Sequence, residues 1–322
     1  MNVITAILDL LGLIKPAPLG YQYEFVDVPS SVTNLGTGEA IFSPWLAKPE
    51  SVADSSQPLN FVNDERRIIV ISFTISSHMG PNWFGVAFRE RIKSFNSINI
   101  FFHPDPSPSI GYLEKDYPAR TAQWLALFRY VQNLGFQLDA GNCDQILLMP
   151  IFDEPSWANC GVFPTAWNEI ALVAINCAKA VALFQGPPSG QKSFYTQIAQ
   201  GTLAELQGGN VPLESVKDVV LSCFSAGRLP MLNFYRAARG ASAFVRELWD
   251  FDGFQATLPA SSATLNVIHY DQSTTPNAPG FHVPPPRWSS FPPGAPKTVA
   301  DVHGLIPNCL FWHATTLSNV GK

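Results

Sequence analysis

The sequence predicts an α/β fold, with a mostly parallel central sheet and helices on both faces. Three observations carry that expectation. Of 322 residues, 46% are hydrophobic and 14% charged, enough apolar side chain to fill the core of one large globular domain. From residue 98 onward, short runs of β-branched and aromatic residues alternate with longer segments of helical periodicity. No internal repeat, low-complexity tract or charge block interrupts that alternation.

The opening "MNVITAILDLLGLIKP" is apolar but carries Asp9, lacks a basic leader and is too short to span a bilayer. It is expected to be a packed helix, so residues 1–20 stand as an apolar segment ahead of a single domain at 21–322. "YQYEFVDVP" (21–29) and "RRIIVISFTIS" (66–76) read as early strands, and "INIFF" (98–102) as a short apolar one. "PARTAQWLALFRYVQNLG" (118–135) places Trp124, Leu125, Phe128 and Val131 at helical spacing and ends on Gly135. "QILLMPIF" (145–152) is again a strand, "TAWNEIALVAINCAKAVALF" (165–184) a largely buried helix, and "VKDVVLS" (216–222) the next strand.

After Gly227, "RLPMLNFYRAARG" has helical spacing, with Pro230 tolerable only in a first turn and Gly240 as a stop. "AFVRELWDF" (243–251) and "ATLNVIHY" (263–270) are two more strands, and "IPNCLFWHATTLSNVGK" (306–322) is a terminal helix opened by Pro307. Alternation of this kind implies parallel strands joined by crossover helices, and ligands of such sheets bind beyond the strands' carboxyl ends.

The net charge of −5 and the scattered Lys and Arg give no footprint for nucleic acid. Cys143, Cys160, Cys177, Cys223 and Cys309 are odd in number and widely spaced, without a CxxC pair; they read as buried free thiols in a reducing cytoplasm. No pattern calls for a cofactor or a metal, and none for a membrane span or a particular oligomeric state. His103-Pro104-Asp105 has the residue types of a two-histidine, one-carboxylate iron site, but such sites belong to antiparallel double-sheet barrels rather than to a chain with long helices.

The 28 prolines and 23 phenylalanines set the composition apart. Prolines gather in "HPDPSPS" (103–109) and "NAPGFHVPPPRWSSFPPGAPK" (277–297), which read as long loops of restricted backbone. The loops at 103–117, 153–164 and 272–300 are expected to build a pocket, with Phe281, Trp288 and Phe291 packing the last of them.

The stretch "VVLSCFSAGR" (219–228) begins as a buried strand and turns within four residues into small and polar side chains ahead of a helix. Here the sequence resembles the α/β-hydrolase family, whose nucleophile elbow is GxSxG; Ser225-Ala226-Gly227 supply its second half, and Ser222 is read as replacing the first glycine. The resemblance implies Ser225 as nucleophile and the Ala226 N–H as one oxyanion donor. It takes the second donor from the loop "FFHPDPSPSIG", where Pro104 has no N–H and Asp105 is the first residue able to serve. "SSHMGPNWFG" (76–85) is the other loop considered.

In that family the general base follows the serine in the chain, which leaves His269, His303 and His313. His303, in "ADVHGLIP" before the last helix, fits the family's position best; His313 lies mid-helix among apolar residues, and His269 inside a strand. The orienting acid is Asp252 or Asp271, each at the end of a strand, with Asp250 read as a local cap. The implied activity is hydrolysis of an ester, or a related acyl bond, of an apolar small molecule through an acyl-enzyme. The alternative is a member of the same fold that binds a ligand or partner without catalysis.

Overall fold

A computed structural model describes residues 19–26, 68–75, 83–104, 130–131, 134–139, 141–152, 154–184, 192–209, 216–238, 240–254, 256–271 and 299–322. The apolar segment at 1–18, most of the helix expected at 118–135, and the proline-rich stretches at 105–117 and 272–298 lie outside the described residues.

Among the described residues eight strands form one sheet: β1 (Tyr23–Val26), β2 (Ile68–Ile75), β3 (Trp83–Arg89), β4 (Ser97–Phe102), β5 (Ile146–Ile151), β6 (Asp218–Phe224), β7 (Val245–Phe251) and β8 (Asn266–Tyr270). Their order is β1-β2-β3-β5-β4-β6-β7-β8. β5, β4, β6, β7 and β8 are joined to one another by parallel pairings, and β1, β2, β3 and β5 by antiparallel ones. The mostly parallel expectation therefore holds for the half that contains the "VVLSCFSAGR" strand.

β4 and β5 sit centrally and are buried along their whole length, as continuous apolar runs must be when both faces are covered. Pro150, which cannot donate to a ladder, pairs with Phe84 of β3 but falls beyond the last β4–β5 pair, Ile100 with Leu148. On β6 the side chains alternate between two cores: Val219, Leu221 and Cys223 join one, Val220 and Phe224 the other.

The first core is covered by α1 (Phe163–Leu183) and by α3 (Arg228–Ala237), with Ala199, Leu203 and Leu206 of α2 (Lys192–Gln207) behind them. Within α1, Glu169 accepts the backbone N–H groups of Gly20 and Tyr21 and the Tyr23 hydroxyl, tying the first described residues to the helix. The second core is covered by α4 (Val299–Leu317), together with Val131, Leu134 and Leu138 of the helical residues that end at 139. Among the described residues α1 is the one helix long and apolar enough to cross a membrane, and 67% of its most apolar window is buried in the protein.

Two helix boundaries differ from the sequence expectation. Gly135 lies inside a helix rather than ending one, because a Cβ there would come within 2.8 Å of the Ala87 Cβ on β3. α4 begins at Val299 and contains Pro307 in its interior, where the ring costs a helical hydrogen bond. The Gln137 side chain meets the helix here: its Nε2 donates to the Pro307 carbonyl at 2.8 Å, and its Oε1 accepts the Trp312 N–H at 2.9 Å. These bonds insert a side chain into the ladder just after the proline, between the Pro307 carbonyl and the Trp312 N–H.

Candidate active site

β6 ends at Phe224 in extended geometry, and the next residue, Ser225, has φ of 58°. A left-handed φ disfavours any residue with a Cβ and costs on the order of 1–3 kcal/mol. The surroundings hold it there: the Ser225 carbonyl accepts N–H groups from Arg228 and, at 3.3 Å, from Phe254. A 3-10 turn, Ser225–Gly227, then leads into α3.

Gly227 is required by close approach. A Cβ on it would lie 2.3 Å from the Phe102 carbonyl oxygen and 2.7 Å from that of His103, so the start of α3 rests against the end of β4. Counted from Ser225, the place of the elbow's first glycine belongs to Cys223, not to Ser222. Cys223 is fully buried and points to the α3 side. Ser222 points the other way, donating to Asn99 Oδ1 at 2.5 Å, and Asn99 donates in turn to Gln145 Oε1 at 2.9 Å.

The loop that leaves β4 starts beside this turn. His103 is fully buried and both ring nitrogens meet backbone: Nε2 accepts the Phe152 N–H at 3.0 Å, and Nδ1 lies 2.7 Å from the Pro104 carbonyl. That pair of contacts requires the neutral Nδ1–H tautomer, with the imidazole pinning the end of β5 to the end of β4. Asp105, the expected second oxyanion donor, lies outside the described residues, as does the alternative loop at 76–82.

Asp250 makes a local contact, from the Gly253 N–H to Oδ2 at 3.4 Å, but is also the centre of a charged cluster. It sits on β7 between Cys223 of β6 and His269 of β8 in the sheet register, and none of its side chain is exposed. Arg228, three residues after Ser225, grips it with two nitrogens, Nε at 2.9 Å and a terminal nitrogen at 2.5 Å. His269 Nδ1 is 2.5 Å from Asp250 Oδ2, and the Cys223 thiol donates to Oδ1 at 3.1 Å. Burial pushes the Asp250 carboxyl upward, but hydrogen bonds from His269, Arg228 and Cys223, with the guanidinium charge, outweigh it and hold the carboxyl below its usual range. The hydrogen bond to Asp250 raises the His269 imidazole, against a smaller effect of burial. Burial, then the Asp250 charge, raises the Cys223 thiol far above its usual value, so this thiol is inert.

The two expected acids fall at carboxyl ends of neighbouring strands. Asp252 has φ of 53° in the turn after β7, with its N–H on the Tyr270 carbonyl at 2.6 Å. Asp271 follows β8 directly, and its carboxylate is 3.5 Å from His269 Nε2. His303 lies within α4 rather than in a loop before it. His313 is buried, with Nδ1 2.7 Å from the Tyr270 hydroxyl.

The cluster missed in the sequence had a signal there. A carboxylate inside "ELWDF", an apolar strand, must be paired wherever it is buried, and Arg228 stands three residues after the strand-end serine. No protein-family model and no curated protein matches the sequence.

Proposed function

We propose that the chain is a serine hydrolase of α/β-hydrolase type, cleaving an ester or related acyl bond of an apolar substrate. The backbone of Ser225 is the observation that carries the reading: a serine held at positive φ between a parallel strand and a helix, with a glycine two residues on packed against the neighbouring strand. Strain kept at a polar residue that ends a strand, where glycine would relieve it, supports a role for its side chain.

In this reading Ser225 Oγ bonds to the ester carbonyl carbon as His303 removes its proton, and Asp252 or Asp271 orients the imidazole. The oxyanion is received by the Ala226 N–H at the start of the turn and by the loop leaving His103, with Asp105 as its donor. The alcohol departs with the proton from the histidine; water then repeats the exchange and releases the acid. The anchoring of His103 on both ring nitrogens supports a fixed origin for that loop.

A fluorophosphonate probe and a short p-nitrophenyl ester test the proposal together. Wild type is expected to label and turn over, Ser225→Ala to do neither, and His303→Ala to lose kcat by orders of magnitude while keeping its fold. Equal labelling of wild type and Ser225→Ala, or labelling of neither, would leave the ligand- or partner-binding alternative in its place.

A further inference from the structure

Around Ser225, one set of contacts runs without a break from the sheet edge to the serine's own backbone. It starts at His269, whose side chain is 38% exposed and whose Nδ1 meets Asp250 Oδ2. Asp250 holds the Arg228 guanidinium, and the Arg228 backbone N–H bonds to the Ser225 carbonyl. A second branch leaves the same carboxylate: the Gly253 N–H points to Asp250 Oδ2 at 3.4 Å, and the next residue, Phe254, donates its N–H to the Ser225 carbonyl. Gly253 lies so close over the ion pair that a Cβ would be 2.2 Å from Asp250 Oδ1 and 2.7 Å from Arg228 Nε.

We propose that Asp250 is a positioning residue for Ser225, acting through Arg228 and through the Gly253–Phe254 backbone, and that His269 holds Asp250 in place from the edge strand. The inference rests on the serine-hydrolase reading for its catalytic consequence, but its structural content does not. Both branches end on the carbonyl of the strained residue, so a shift of Asp250 moves the serine's peptide from two sides. The charged groups facing His269 are Asp250 on β7, Asp271 beyond β8 and Arg228 on α3. The Arg228 guanidinium also donates through Nη1 to the Ala256 carbonyl at 3.0 Å, a further contact that Arg228→Lys gives up.

Three full-length variants separate positioning from catalysis. His269→Ala removes the contact to Asp250; His269→Asn places an amide donor near the position of Nδ1; Arg228→Lys keeps the charge and loses the fork. A displaced nucleophile costs up to about 100-fold in rate, so His269→Ala and Arg228→Lys are expected to label with fluorophosphonate about 10- to 100-fold more slowly, and His269→Asn to recover most of the wild-type rate. Loss by orders of magnitude in both His269→Ala and His269→Asn would overturn the proposal and make His269 the base itself. Unchanged rates in His269→Ala and Arg228→Lys would overturn it too.

Amide hydrogen exchange across 226–229 and 252–255 reads the same device without chemistry. His269→Ala is expected to exchange at least about tenfold faster there and His269→Asn at the wild-type rate. If wild type does not label at all, the hydrolase reading fails, and this exchange pattern alone decides the positioning claim: equal protection in all three proteins would end it.

Discussion

Two buried polar networks flank the same strand, β6, and differ in kind. On the α4 side, Ser222, Asn99, Gln145 and Ser318 form a neutral chain, closed by the Val320 carbonyl. On the α3 side, Cys223 meets Asp250, which carries a full charge shared with Arg228 and His269. The neutral chain lies deeper along the strands and ties their interior to the C-terminal residues. The charged one stands one residue from the strand ends and reaches the backbone of Ser225. Neutral amides lock a geometry at every pH, whereas charged groups lock one only while they keep their protonation states. The same strand thus separates a network suited to holding the sheet from one suited to holding a site.

The largest break in that contrast comes from neutralising the charged side. Asp250→Asn leaves the Arg228 guanidinium, 12% exposed, facing an amide, and an uncompensated buried charge costs about 3–5 kcal/mol. Chemical denaturation is expected to show that loss, with the folded fraction labelling more slowly at Ser225. A stability change within about 0.5 kcal/mol would mean that water already compensates the guanidinium.

A smaller effect is expected on the neutral side. Ser222→Ala orphans one acceptor of Asn99, and Asn99→Ala orphans both the Ser222 hydroxyl and the Gln145 amide oxygen. Each unpaired buried group costs about 1–3 kcal/mol, so Asn99→Ala should lose more stability than Ser222→Ala. Neither should change the labelling rate per folded molecule; a slower rate in Ser222→Ala would show that the two networks are coupled across β6.

How far the sequence revealed these regions follows from what each relied on. The β6–α3 turn was legible because a continuous apolar run followed by Ser-Ala-Gly admits few backbones, and Gly227 stands where α3 meets β4. β3 was not, since "WFGVAFR" is interrupted by Gly85 and follows the turn-forming Gly80-Pro81-Asn82. α2 escaped notice because its periodicity is thin: Ala199, Leu203 and Leu206 are buried, while Gly201 faces open space inside the helix. α4 was started too late because Pro307 is a helix-opening signal, while the helix in fact begins at Val299 and carries the proline in its interior. For Asp250 only the local contact to Gly253 was legible, its other partners being on other strands and on α3. Patterns local in sequence were readable, and pairings set by the sheet register were not.

The finest distinction between the networks is their response to pH, and its sign can be worked out. Asp250 is held below its usual value of 3.8, so its contribution to stability is present above that pH and is lost as pH falls through the lower folded value. His269 is raised above its usual 6.5, so its contribution is complete below 6.5 and disappears as pH rises through the higher folded value. Both are in place between these limits. The imidazole is more than a third exposed, so solvent screening keeps its share below about 1 kcal/mol. Thermal melting of wild type is therefore expected to fall slightly from pH 6 to pH 8 relative to His269→Asn, which keeps a donor but cannot titrate. Asn99→Ala should retain the wild-type slope, because the Cys143 thiol at the Val320 carbonyl is pushed by burial up to about 12, far above this range. Parallel pH profiles for wild type and His269→Asn would show that the charged cluster holds Ser225 by geometry alone, as indifferent to protons as the amide chain on the other face of β6.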